Sequence, residues 1–489
     1  MKRQIINSKL LLLIIFFISF SSCKKFLDVN PPYGQDAENY FQTPDDYERA
    51  LVGAYDLLQA SFMSVWIGEI ASDNTIAGGE SANDTEGLHQ IDAMTHGAVN
   101  NELRNIMRWN YAGITRTNYI LEFQNNIDFS GKAEILAEAK FLRAFYYFEL
   151  VKFFGDVPLI INKRVGASEV TQLDRTPKSE VYAQIEKDLT ESAAILPVIA
   201  STKGRATKGA AQSLLGKVYL YQNKFADASQ ILDEVINSGT YSLIADYADL
   251  FTVANENNVE TVFDVQYTGA EGGGYGCLVC LEGNAGPGFQ GIRQYNGPVY
   301  GDGNSYNLPT QNLYDAFNAN DPRRNLTILD IDAFIAAQPN SASITYAIGA
   351  GGHTGYYNNK YIKRQGEIGL PDDDLTSPVN YRVIRYADVL LMAAEAHYQN
   401  GNTGSAQNYL NLVRTRVGLP SINIGSIQDI YNERRLELAC EGHRFFDLVR
   451  TGQAATNISG FQLNKHELFP IPQIEIDLAG GRWNQNSGY

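Results

Sequence analysis

The chain has 489 residues and carries 39 Lys and Arg against 55 Asp and Glu, a formal charge of −16 at pH 7. A surface this acidic lacks the cations that displace counterions from a phosphate backbone, so nucleic acid is excluded as a partner. The length allows two or three domains of ordinary size, and a hydrophobic content of 44 % suffices for a large core.

The chain opens on a secretory pattern. Lys2, Arg3 and Lys9 precede an apolar run from Leu10 to Ile18, and Phe20-Ser21-Ser22-Cys23 closes it. The run is shorter than the about 20 residues a membrane span requires. Cys23 after two small residues resembles a bacterial lipobox, with Phe20 where Leu is usual. Residues 1–22 therefore read as a lipoprotein signal peptide and Cys23 as the lipid attachment site. Losing the three positive charges of that segment takes the formal charge from −16 to −19. No later stretch reads as a membrane span, so the membrane contact expected is the N-terminal lipid, whose buried methylenes each contribute about 0.8 kcal/mol.

Helical periodicity dominates the rest of the chain. Ala137 to Phe154 places Phe141, Ala144, Phe145 and Phe148 on one face, and Gly155-Asp156-Val157-Pro158 ends it. The next helix is predicted to begin near Pro177 with Thr176 as its N-cap. Two distant segments, Lys208 to Ser238 and Tyr386 to Arg416, share one pattern. Gly216, Ala228 and Leu232 match Ala394, Ala406 and Leu410 at equal spacings. Each reads as helix, short polar turn, helix, and resembles a tetratricopeptide repeat of about 34 residues. Fainter copies lie around Trp109–Phe123 and Ala139–Leu196. Stacked helix pairs of this kind build a superhelical scaffold.

Between the two repeats the composition changes. Gly269 to Gly303 holds twelve glycines in thirty-five residues, interleaved with Tyr275, Phe289, Tyr295 and Tyr300. A disordered linker is poor in aromatics, so this segment reads as an ordered, loop-built surface, with a short strand at Thr261–Tyr267. Cys277 and Cys280 form a CxxC without a redox βαβ pattern or a second pair; a local disulfide and two free thiols both fit. Cys440 reads as a core residue within a helix.

Catalytic and metal signatures are missing: there is no HExxH, GxSxG, P-loop or Rossmann fingerprint. His89 and His96 lie seven apart, too few ligands for a metal site. Glu437 and Glu441 have the look of a glycosidase carboxylate pair. Glu441, Arg444, Asp447 and Arg450, however, alternate in sign at three-residue spacing and read as an ion-pair ladder on one helix. Asp372-Asp373-Asp374 reads as a solvated loop rather than a calcium site. No cofactor, metal or catalytic residue is expected.

Residues 433–452, ERRLELACEGHRFFDLVRTG, resemble the C-terminal signature of the SusD/RagB family through Glu433, Arg434, Glu437, Glu441, Gly442, Arg444, Asp447 and Arg450. Cys440 stands where an aromatic or aliphatic residue is more usual. CKKFLDVNPP, AEAKFLRAFYYFELVKFFGDVPL, RYADVLLMAAEAHYQNG and LFPIPQIEIDL…QNSGY are similar to other parts of that family. The resemblance spans 23–489 and implies a whole chain. It divides into an N-terminal SusD-like helical region at 23–260 and a C-terminal SusD/RagB region at 261–489. The fold implied is mainly α, a tetratricopeptide-like superhelix with a loop-rich Gly/Tyr region and a few short strands.

The function implied is non-enzymatic. Such proteins are outer-membrane lipoproteins facing the cell exterior that bind glycan and cap a TonB-dependent SusC-like transporter. A family member that handles peptides or another nutrient is the alternative, and a helical glycoside hydrolase a more distant one. Sugar rings suit an aromatic face with a polar edge. The expected contacts are Tyr295, Tyr300 and Tyr306 as a platform, with Trp66 and His89 from the N-terminal loops. Trp109 and Trp483 read as packing residues.

Overall fold

The computed structural model describes residues 37–161, 163–270, 282–367 and 374–489. The signal segment, Cys23, Tyr275, the Cys277–Cys280 pair, Asp372 and Asp373 lie outside the described residues.

Helix follows helix from the start. Thr43 begins α1 (Pro44–Asp56) with a capping box closed by Asp46, and α2 (Phe62–Ile70) follows a short 3₁₀ turn. Residues 44–70 meet the length and composition of a bilayer span, which the sequence pattern did not suggest, yet 61 % of their most apolar window is buried in the protein. They form a core element. Then come α3 (Asn101–Glu122), α4 (Lys132–Phe154) and α5 (Lys178–Ile195).

Helix α4 differs from its expected one-faced pattern. From Ala137 to Phe154 every residue but Lys140 and Lys152 is buried, because α3 packs on one side and α5 on another. Its internal charge is matched: Arg143 donates to both oxygens of Asp188 at 2.8 Å and to Asn118 at 3.0 Å. The cap of α5 is Pro177 rather than Thr176. Thr176 instead bridges to Val157 and accepts from the Leu159 amide at 3.3 Å.

Both repeats form as their spacing predicts. The first is α6 (Lys208–Tyr221) with α7 (Phe225–Asn237), the second α8 (Tyr386–Gln399) with α9 (Thr403–Arg416). Gly216 is small for a steric reason: a Cβ there would stand 2.5 Å from Leu232. Ala394, Ala406 and Leu410 are fully buried. Helices α3 to α7 stack in order, and α8 continues the stack on α7 although almost 150 residues intervene.

That insertion is closed at its neck by two strands. The first, Thr261–Val265, pairs antiparallel with Tyr381–Arg385, so that Thr261 faces Arg385 and Val265 faces Tyr381. Elsewhere Thr75–Gly78 pairs with Tyr306–Pro309, and Ile328–Asp330 with Tyr356–Asn358, both antiparallel. The insertion has a small core of its own, built from Ile292, Tyr295, Tyr300, Leu308, Leu329, Ile331, Ile344, Tyr357 and Ile362.

The segment 433–452 is two helices, not one. Helix α10 (Ile427–Glu437) ends before a turn, and α11 (Arg444–Arg450) starts after it. Cys440 (φ 67°) and Gly442 (φ 88°) make the turn. Only glycine takes the second position readily, since a Cβ there would also sit 2.8 Å from the Val65 backbone. The turn docks on α2, where Glu69 accepts the Gly442 amide at 2.7 Å.

The expected ladder is therefore not a ladder. Only Asp447 and Arg450 pair along the helix, at 2.8 Å. Glu441 binds Lys360 and Arg385, and Arg444 binds Asp73. Five carboxylates (Glu260, Asp321, Glu433, Glu437 and Glu441) meet five cations (Arg323, Lys360, Arg385, Arg414 and Arg416) in one network. Burial would raise the carboxyls of Glu437 and Glu441, but Arg385 and its neighbouring cations win and hold both below the usual range. Both residues are fully buried, so they do not form an exposed acid–base pair.

Candidate functional site

Loops of the insertion rest on its small core and turn one surface outward. The segment 345–355 supplies Tyr346 and His353, whose ring centroids lie 5.9 Å apart at 37°. Its path is set by close backbone contact with residues 78–80. The Ala350 amide donates to the Glu80 carbonyl at 2.8 Å. A Cβ on Gly349 or Gly351 would stand 2.1 or 2.2 Å from the carbonyl oxygens of Gly79 or Gly78, so glycine is required at both positions.

Polar groups frame this pair. The Tyr346 hydroxyl donates to Asp332 at 3.1 Å, and Arg293 pairs with Glu80 at 2.7 Å. Ile348, in the same segment as Tyr346, is 65 % exposed. Burial, then the hydrogen bond to Asp332, pushes the Tyr346 hydroxyl up to about 12. Burial lowers the His353 imidazole below its ordinary value despite the opposing charge of Asp332, which keeps the ring neutral at pH 7. The assembly offers a neutral aromatic pair, an aliphatic contact, two carboxylates and a guanidinium. Such a set suits a flat polyhydroxylated ring, with C–H groups on the aromatics and hydroxyls on the charged rim.

A second aromatic pair includes Tyr356, at the start of the strand Tyr356–Asn358. Tyr314 and Tyr356 stack at 4.6 Å and 15°, Arg324 lies 4.7 Å over Tyr314, and the Tyr356 hydroxyl donates to Gln311 at 3.0 Å. Both rings are half-buried. Among the described residues no group of three His, Cys, Asp or Glu side chains is placed to hold a metal ion.

The expected platform is placed differently. Tyr295, Tyr300 and Tyr306 are 7 %, 6 % and 3 % exposed, and Trp66 is 3 % exposed, so these rings have no free face for a sugar. Tyr295 packs edge-on to Tyr300 at 6.3 Å and donates to the Pro298 carbonyl at 2.8 Å. Tyr300 packs on Phe334 and donates to Asn359 at 3.3 Å. Tyr306 lies between Trp66, stacked at 5.9 Å and 11°, and Gly79, where a Cβ would stand 2.7 Å from the ring. Its hydroxyl shares a hydrogen bond of 3.0 Å with Thr85.

His89 is half-buried on a short helix, with its Nε2 enclosed. Tyr295 and Tyr300 belong to the core on which Tyr346 rests. They lie beneath Tyr346, whereas Tyr306 belongs to the main core. Tyr346 and His353 had the same signal as the chosen tyrosines, aromatics among glycines, since Gly349, Gly351, Gly352 and Gly355 surround His353. Trp483 is buried and donates to the Leu173 carbonyl at 2.8 Å, while Trp109 is half-buried against the main core.

The fold is thus a helical stack carrying a loop-built module, with the charges of 433–450 binding the two. Residues 227–489 match the SusD family, and residues 25–220 match a family described as "Starch-binding associating with outer membrane". The chain belongs to the SusD family. It is 28 % identical to "SusD-like protein P2" of Formosa agariphila over 97 % of this chain and 98 % of the relative. Among solved structures it is similar to a "Laminarin binding SusD-like protein", with 38 % identity, a TM-score of 0.84, and coverage of 92 % of this chain and 100 % of the other. A third likeness is to surface glycan-binding protein A from Bacteroides thetaiotaomicron, solved in complex with laminarihexaose. It has 26 % identity, a TM-score of 0.81, and coverage of 91 % of this chain and 99 % of the other.

Proposed function

We propose that this chain is a lipid-anchored protein of the outer membrane, facing the cell exterior, that binds glycan without cleaving it and passes it to a TonB-dependent SusC-like transporter. The observation that carries the reading is the half-buried Tyr346–His353 pair, with Asp332 bonded to Tyr346 and the Arg293–Glu80 ion pair on neighbouring segments. Support for the ligand class comes from two similar structures whose names specify laminarin and laminarihexaose. The description matched by residues 25–220 supports the outer-membrane location, and Cys23 supplies the anchor. In this reading 23–260 is chiefly scaffold and 261–489 carries the contact surface. Trp66, Tyr295, Tyr300 and Tyr306 act as packed support, and His89 stands at the margin of the N-terminal loops.

The non-enzymatic part rests on Glu437 and Glu441 being consumed in ion pairs. The test is electrophoresis of the folded protein through gels containing laminarin or starch, with an assay for released reducing sugar. Retardation without sugar release is expected. Hydrolysis, or unretarded migration in both gels with equal retention on a peptide matrix, would overturn the proposal. Recovery of a SusC-like barrel when the protein is purified from mild-detergent outer membranes tests the partner.

A further inference from the structure

Exposed aliphatic side chains gather at one end of the helical stack. Ile195 at the close of α5, and Val198 and Ile199 just after it, are 52 %, 53 % and 78 % exposed. Val198 and Ile199 line a recess with Lys203 and Asn258, and Lys203 also lines the adjoining groove with Val52 of α1. Val52 and Val259, the residue after Asn258, are exposed as well. Such side chains need no explanation singly, but a contiguous apolar patch marks an interaction surface.

The neighbouring contacts fix which end this is. The Ser192 hydroxyl donates to the Ala137 carbonyl at 2.8 Å, and Lys140 pairs with Glu191 at 2.7 Å, so α5 closes beside the first turns of α4. Helix α4 in turn starts close to where α3 ends. The described chain enters at this same end: Phe41 stacks on Phe123 at 5.3 Å and 21°, and the Tyr47 hydroxyl donates to the Phe123 carbonyl. The far end of the 22-residue α3 lies about 33 Å away. Residues 24–36 join Cys23 to Ala37, and a coil of that length spans about 20 Å. A lipid on Cys23 therefore holds the bilayer against this end rather than the other.

Charge is compatible with an anionic headgroup layer. Asp45, Glu48, Asp128 and Glu191 at this end pair with Arg49, Arg205, Lys132 and Lys140. Among the described residues the ion pairs include none of Glu134, Glu282, Lys203 and Lys208, so the face is near neutral, and Lys24 and Lys25 tip it positive. Aliphatic side chains flanked by lysines suit the boundary between headgroups and acyl chains.

We propose that this end of the stack rests on the lipid surface of the outer membrane, with Ile195, Val198 and Ile199 entering at headgroup depth and Lys203 and Lys208 meeting phosphates. The proposal rests on the lipid-anchor reading given above and adds a contact borne by the protein itself. A lipid alone leaves the body free to swivel; a second contact sets its orientation over the membrane.

The experiment is tryptophan quenching of the full lipidated protein in vesicles of phosphatidylcholine and phosphatidylglycerol brominated near the glycerol end of the acyl chains. Trp66 and Trp483 are buried and Trp109 is half-buried, so the wild type supplies the baseline for Ile199→Trp. Val99→Trp, at a site 81 % exposed beside the start of α3, is the control for the far end. Ile199→Trp should lose at least half of its added emission and shift to shorter wavelength, with Val99→Trp unaffected. The vesicles hold no transporter, so a protein partner cannot produce this result. Circular dichroism verifies the fold, and Lys203→Trp reads the same face where Ile199→Trp does not fold. Vesicle-bound protein in which Ile199→Trp and Lys203→Trp stay unquenched overturns the lipid-facing end and leaves the anchor standing, as does quenching of Val99→Trp instead. Protein whose mass shows no acyl chain and which stays off the vesicles overturns the anchor reading and this proposal together.

Discussion

Arg385 grips both oxygens of Glu441 at 2.8 Å, across 56 residues of sequence and out of contact with solvent. The pair joins the neck of the insertion to the turn after α10. Removing one partner leaves an uncompensated buried charge, which costs about 3–5 kcal/mol. Glu441→Gln should therefore lower the melting temperature strongly while leaving glycan affinity per folded molecule unchanged. Calorimetric melting and a titration at one temperature decide it. An unchanged melting temperature with lost binding would make Glu441 part of a site.

Tyr346→Ala removes a half-buried ring and its hydrogen bond to Asp332. An aromatic contact of this kind is worth about 0.5–1.5 kcal/mol, and 1.4 kcal/mol is tenfold in affinity. Combined with His353→Ala, the loss should exceed tenfold at unchanged fold. Gel retardation at the wild-type value would remove this surface from consideration.

The buried tyrosines should behave in the opposite way. Tyr295→Ala and Tyr306→Ala each empty a packed position, and large aromatic-to-alanine changes in cores cost about 3–5 kcal/mol. The effect should appear first in urea midpoints. If either variant keeps wild-type stability but loses glycan, the ring contacts ligand after all.

Stability should depend on pH in two opposite senses. Burial pushes the Asp264 carboxyl up to about 7, with Arg382 opposing too weakly, and burial likewise puts Glu69 at about 7. In the unfolded chain such groups titrate near about 4. The native state therefore holds more protons between about pH 4 and 7, and stability falls as pH rises through that window. Asp447 behaves in reverse: burial would raise it, but Arg434 and Arg450 hold it at about 2. Its contribution is present above about pH 4 and lost as pH falls towards 2. Melting should be highest near pH 4, several degrees above pH 8, and Asp264→Asn should reduce the difference. A flat profile from pH 5 to 8 would contradict this.

Cys23→Ala should move the protein from the membrane fraction to the soluble fraction. Immunoblotting of fractionated cells reads the outcome, and retention in salt-washed membranes from cells lacking a SusC-like partner would count against the lipid anchor.

Much of the scaffold was legible because helix pairing leaves local marks. Gly216 and Ala394 had to be small where helices touch, and the spacing to Leu232 and Leu410 repeated. The turn at Cys440 was not legible, since the apolar run through Leu436, Leu438 and Ala439 continues helical period across it. What breaks the helix is tertiary: Glu69 takes the Gly442 amide, and α2 leaves no room for a side chain. The burial of Tyr295, Tyr300 and Tyr306 was not legible for a related reason. Tyrosines among glycines mark loop modules, but the sequence does not separate the rings under a loop from those over it. Tyr295 and Tyr346 differ chiefly in which of them the small core encloses.

The antiparallel neck has a consequence for chain engineering. Val265 and Tyr381 face each other across two strands, so a two-residue Asn-Gly turn could join them and delete everything between as a hairpin excision. The backbone would accept this, because α8 already stacks on α7. Charge would not. Arg323 and Lys360 lie within the deleted stretch and neutralise Glu433, Glu437 and Glu441. The minimal solenoid would need those glutamates recoded to apolar or amide residues before it could stand alone. Conversely, any foreign module grafted onto this neck must bring two buried cations with it.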